Sequence, residues 1–114
     1  MTSRSTQHSR RPLTALVVDD TAPVRRTIAQ ALKFDGHAAE EADSFLEAEA
    51  LLDRVEVVVT DGSFPYRPGA DPGPWGLVLA QRTRALGKVV ILLSGNSRLV
   101  VQACEAGMVA VEKL

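Results

Sequence analysis

The stretch from Val55 to Gly62, with four valines in its first five positions and Asp61 near its end, limits what this chain can fold into more than any other. β-branched residues at this density favour a strand. The run has no clean polar alternation, which favours a strand covered on both faces, as in a parallel sheet. Ligands of open parallel sheets gather beyond the carboxyl ends of the strands. Asp61 therefore stands where chemistry is expected, and other residues are judged by whether they reach it.

The rest of the chain repeats this unit. Leu13 to Val18 reads as a first strand ending in Asp19-Asp20, and Ala22 to Phe34 as a helix with Thr21 or one of the aspartates as its cap and Pro23 in its first turn. Val24, Ile28, Ala31 and Leu32 form its apolar stripe, with Arg25, Arg26 and Lys33 mostly elsewhere. Gly36 suits the left-handed position after the helix. His37 to Glu41 is a short strand, with His37 a surface residue lacking any partner at metal-ligand spacing. Ser44 with Glu47 three residues on is a capping box opening a helix to Arg54.

Between Ser63 and Gly76 four prolines and three glycines forbid regular structure, yet the segment holds Phe64, Tyr66 and Trp75, three of the chain's five aromatic residues. Part of such a loop must pack against something. A helix follows from Gly76 to Leu86, with Leu77, Leu79, Ala80 and Thr83 inward. A strand from Lys88 to Leu93 then leads to Ser94-Gly95-Asn96, where Ser94 suits contact with an oxyanion or a cap for the helix from Ser97 to Ala106. A last strand from Met108 to Val111 precedes Lys113. Strict alternation of strands and helices predicts an α/β domain over residues 13–114, a doubly wound five-stranded parallel sheet behind a polar, disordered leader of residues 1–12.

Composition narrows the partners. A net charge of −1 gives no overall case for nucleic acid or an anionic membrane, and no apolar run is long enough to span a bilayer. The single cysteine, Cys104, excludes an internal disulfide and reads as a small semi-buried residue of the fourth helix. A reducing, cytoplasmic setting is expected.

In this topology the carboxyl ends of the strands collect Asp19, Asp20, Asp61, Ser94 and Lys113. Carboxylates packed together repel unless a cation holds them, and an oxygen-rich, histidine-free cluster suits Mg²⁺. A carboxylate in such a setting can attack phosphorus and form an aspartyl phosphate, with a lysine and a hydroxyl to neutralise the transferred group.

These residues, each in order at a strand end, resemble the receiver domain of two-component response regulators, over about residues 13 to 114. Pro65, four positions after Asp61, also matches. The resemblance implies that Asp61 accepts a phosphoryl group from a sensor histidine kinase or a phosphotransfer protein. It further implies that Asp20, Asp61 and the Ser63 backbone carbonyl ligate Mg²⁺, and that Asp19 acts through water. Lys113 would contact the phosphoryl group, and Ser94 would couple its arrival to loop movement. Any enzymatic activity would be self-catalysed transfer to Asp61 and hydrolysis there.

The chain departs from the family pattern at four points. The loop after Asp61 is longer by about seven residues. Ala110 stands where the family places an aromatic switch, and Leu114 where it places a proline. No fifth helix follows, which leaves one sheet face to be covered by a partner or a homodimer. The expected protein is a stand-alone phosphoacceptor signalling through protein contacts. The rival is a phosphorylation-independent interaction or dimerisation module of the same fold. An aspartate-nucleophile phosphatase would want a second carboxylate where Ser63 stands.

Overall fold

The computed structural model describes residues 11–113. Residues 1–10 of the expected leader, and Leu114, lie outside the described residues. The order is β1 (Thr14–Val18), α1 (Ala22–Phe34), β2 (Ala38–Ala42), α2 (Phe45–Leu51), β3 (Val57–Asp61), α3 (Trp75–Ala85), β4 (Val89–Ser94), α4 (Ser97–Glu105) and β5 (Val109–Glu112). All five strands are parallel, in the order β2-β1-β3-β4-β5. This is the doubly wound arrangement expected, with the order reversing between β1 and β3. The four helices are those the periodicity predicts. The second is shorter than expected, closing in a 3₁₀ turn over Leu52–Arg54.

Register divides the sheet into two faces. Leu16, Val18, Val58, Val90 and Leu92 turn one way and pack with Phe45, Ala48, Leu79, Ala80 and Ala103 from α2, α3 and α4, and with Leu52 from the 3₁₀ turn after α2. On the other face Ala15 and Val17 are buried, and α1 contributes Ala29 as its one buried residue. Further across that face the cover ends. Val57 pairs with Val89, Ile91 with Val109 and Leu93 with Val111, and Val89, Val109 and Val111 are 56%, 57% and 49% exposed. The expected uncovered face is therefore present, and no fifth helix lies over it among the described residues.

The stripe predicted for α1 is rotated. Ala29 faces the sheet and Ile28 and Leu32 are half-buried, whereas Val24 and Ala31 are exposed and Phe34 is 95% exposed. Arg25, expected on the outer surface, turns inward: Nε bonds Glu41 of β2 at 2.9 Å and Nη1 donates to the Asp19 carbonyl at 2.9 Å. A guanidinium here satisfies a loop carbonyl that an aliphatic side chain would leave unpaired.

Two local signals elsewhere hold, and three others are revised. Ser44 Oγ accepts from the Glu47 amide, and the Glu47 carboxylate reaches back to the Asp43 amide, one residue before the cap. Gly36 takes its left-handed turn at φ 95°. Thr21 occupies the α1 cap position, but its side chain makes no capping bond, and its own amide donates to Asp19 Oδ1 at 2.8 Å. His37 is half-buried, its Nδ1 accepting from the Leu13 amide at 3.0 Å. Cys104 is exposed rather than semi-buried.

The segment after Asp61 is the main correction. Phe64–Pro65 pairs antiparallel with Pro72–Gly73, so the loop is a small ribbon rather than irregular chain. Proline tolerates this because a two-residue ladder leaves most backbone donors outside it.

Candidate functional site

The site lies at the carboxyl ends of β1, β3, β4 and β5. Carboxylate oxygens of Asp19, Asp20 and Asp61 all lie within 4.8 Å of one another. Asp19 is 2% exposed and Asp20 is open to solvent. Lys113 spans buried Asp19 and half-buried Asp61, with Nζ 3.0 Å from Asp19 Oδ2 and 3.3 Å from Asp61 Oδ1. Parallel pairing places the lysine: its amide donates to the Ser94 carbonyl at 2.8 Å, extending the β4–β5 ladder by one residue.

The electrostatics follow from that crowding. Burial, then the charge of Asp19, pushes the Asp61 carboxyl above the ordinary carboxylate range, against the opposing pull of Lys113 and the Gly62 amide. Burial works to lower the Lys113 pKa. The hydrogen bond to Asp19 and the charges of Asp61 and Asp19 outweigh it, so the ammonium is held above its usual value. Three oxygen ligands from carboxylates, one of them solvent-facing, are a donor set that fits a hard divalent cation such as Mg²⁺.

Beside Asp61 opens a pocket of about 430 Å³, floored by Asp61, Gly62 and Ser63. Ser94, Gly95, Asn96 and Leu99 form one wall; Gly73 and Pro74 of the ribbon form the other. Ser94 Oγ accepts from the Asn96 amide at 3.0 Å, and Asn96 Oδ1 caps α4 by accepting from Leu99. The cap is therefore Asn96 rather than Ser94. Sequence reasoning brought Asp19, Asp20, Asp61, Ser94 and Lys113 to one rim, and all five are there; Ser63, implied only by the resemblance, lines the pocket beside Asp61. It gave no part to Leu99 or to the ribbon wall, since nothing in a helix interior or a proline-rich loop marks which residues will turn towards a pocket.

Two glycines let the backbone close on Asp61. Any Cβ at Gly76 would collide with the Asp61 carbonyl oxygen and come within 2.6 Å of Gly62 Cα. A Cβ at Gly62 would lie 3.0 Å from Ser94 Oγ and 2.5 Å from a Leu99 methyl. The Gly76 amide donates to the Gly62 carbonyl at 3.2 Å. The start of α3 therefore rests directly on the loop that follows Asp61.

Fold and rim together define a doubly wound α/β domain with a lysine-bridged carboxylate cluster at its switch point and a pocket beside Asp61. No family profile and no curated protein sequence matches the chain. Solved structures do. A response regulator receiver protein from Pseudomonas putida is 27% identical with a TM-score of 0.70, covering 91% of this chain and 88% of that one. A Thermotoga maritima response regulator in complex with Mg²⁺ and BeF is 23% identical with a TM-score of 0.71, covering 90% and 87%. NtrX from Brucella abortus, 24% identical with a TM-score of 0.73, is a longer protein: 90% of this chain is covered but only 23% of NtrX. The chain has the fold of response-regulator receiver domains, with four helices among its described residues. None of those four helices is long and apolar enough to cross a membrane.

Proposed function

We propose that the domain accepts a phosphoryl group on Asp61 from a phosphohistidine of a sensor kinase or phosphotransfer protein, and signals through protein contacts. The carrying observation is the lysine-bridged carboxylate cluster opening onto a pocket. In the reaction an Asp61 carboxylate oxygen bonds to phosphorus as the P–N bond breaks, and the departing imidazole takes up a proton. Asp20, Asp61 and the Ser63 carbonyl would hold Mg²⁺, with Asp19 acting through water. When bound, the ion supplies positive charge for the phosphoryl oxygens. Lys113, already 3.3 Å from Asp61, neutralises a further oxygen, and the Ser94 hydroxyl on the pocket wall donates to another. Hydrolysis of the aspartyl phosphate would return the resting state, so any catalysis is of its own phosphorylation and dephosphorylation.

Intact-mass measurement after incubation with Mg²⁺ and a small phosphodonor, on wild type and Asp61→Ala, tests this reading. A phosphoryl adduct on wild type alone is expected. Equal labelling of both proteins, or none on either together with no beryllofluoride binding, overturns it.

A second reading has its own support in Ala110 and the exposed valines of β4 and β5. In it the domain is a phosphorylation-independent module, its bare face covered by a second copy or a partner. Gel filtration with and without beryllofluoride and Mg²⁺ separates the two. A shift that requires Asp61 favours the phospho-switch, and an oligomer identical in all conditions favours the module.

A further inference from the structure

The ribbon and its aromatic residues play no part in the chemistry above, yet they are tied to it at both ends. The chain enters the ribbon from Asp61-Gly62-Ser63 and returns at Gly76, whose amide bonds the Gly62 carbonyl with no room for a Cβ between them. Phe64, fully buried, pairs with Gly73 and bridges to Pro74, and Gly73 and Pro74 line the same pocket as Asp61. A group added to Asp61 on its pocket side would meet these ribbon residues.

The far side of the ribbon holds α2. The Tyr66 carbonyl accepts from the Leu46 amide at 3.0 Å, satisfying one of the free donors in the first turn of that helix. The Tyr66 ring stacks on Phe45 at 5.6 Å and meets Trp75 at 4.7 Å, while Phe45 and Trp75 lie 5.2 Å apart. Arg67 and Arg82 close the cluster from outside, over Tyr66 at 5.8 Å and Phe45 at 5.6 Å. Trp75 is the first residue of α3, next to the contact between Gly76 and Gly62. Few soft links separate the pocket from the start of α2. On the opposite side of the site the corresponding route is poor, since Ala110 offers only a methyl group, half-buried against the core.

We propose that occupancy of Asp61 is read out on the surface formed by α2 and the ribbon, with Phe45, Tyr66 and Trp75 as the transmitting element. This inference rests on the phosphoacceptor reading. A displaced wall moves Gly73 to Trp75 as a unit, the ring cluster carries that movement to Tyr66, and the bond from Leu46 loosens or tightens with it. The signalling surface then lies on the covered side of the sheet, away from the bare valines.

Trp75 is the only tryptophan, so its emission reports on the cluster without a label. The experiment titrates beryllofluoride with Mg²⁺ into wild type, Asp61→Ala, Tyr66→Ala and Tyr66→Phe. Bound fluoride is followed by fluorine NMR, and the Leu46 amide by hydrogen exchange. In wild type the emission change shares its midpoint with binding, and Leu46 exchange changes about threefold or more. Tyr66→Ala still binds but loses the Leu46 response, and Tyr66→Phe restores it by replacing the ring. Binding with unchanged Trp75 emission and unchanged Leu46 exchange overturns the readout alone. Absence of bound fluoride in wild type overturns the phosphoacceptor reading beneath it, and the readout with it.

Discussion

The two faces of one sheet have been treated very differently. On one, Leu16, Val18, Val58, Val90 and Leu92 lie under three helices and are 0 to 4% exposed. On the other, α1 shelters Ala15 and Val17, while Val89 on β4 and Val109 and Val111 on β5, two and three strands from β1, meet water. Residue type does not separate them, since valine is abundant on both. The difference lies in which crossover helices exist to cover each strand. A hydrophobic pattern thus states what a strand is suited to, and the connections decide whether it is satisfied.

Substitutions on the two faces put that contrast to the test. Leu79, fully buried in α3, should show the largest effect: Leu79→Ala is expected to cost about 2–5 kcal/mol in urea unfolding, through lost transfer energy and the cavity left behind. A cost near zero would mean that the covered face is not the core.

Of intermediate size is the effect at the rim, where both faces end. The Asp61 carboxyl is raised, so the folded state holds its proton more tightly than the unfolded chain. That contribution is unfavourable to folding once the group ionises: stability falls as pH climbs from the unfolded carboxylate pKa through the raised folded value. Asp61→Asn should remove this part of the pH dependence and exceed wild type in stability at neutral pH without divalent cations. Parallel melting curves at acid and neutral pH would expose an error if the wild-type decline survived the substitution.

Smallest is the bare face. Val109→Thr with Val111→Thr should change monomer stability by only about 0.5 kcal/mol or less, because neither side chain is buried. A much larger, concentration-dependent loss would show that a second copy covers these valines, sharpening the contrast into one between a closed face and a shared one.

Most of this architecture was legible in the sequence because strands and helices announce themselves by period. The valine run at 57–59, the capping pair Ser44 and Glu47, and Gly36 each matched their expected setting. The rim was legible too, because a parallel sheet sends every strand end to one side. What escaped was decided by tertiary partners. Arg25 looks like any surface arginine until a loop carbonyl and Glu41 need its guanidinium. The Ser63 to Gly76 segment reads as loop by composition, and only its pairing across Phe64 and Gly73 makes it a ribbon. The orientation of α1 depends on where the sheet lies, which periodicity alone leaves open between adjacent faces.

The bond from Lys113 to Asp19 joins residues 94 positions apart. A ribosome delivers those partners in order, the acid well before the base. Until β5 is made, Asp19 and Asp61 face each other without their ammonium partner, and the rim is at its least favourable. Arrival of the final strand supplies the missing charge and, through the Lys113 amide on Ser94, the last rung of the ladder. Docking of β5 and completion of the site are therefore a single event, and a nascent domain acquires its finished acidic centre only when that strand docks.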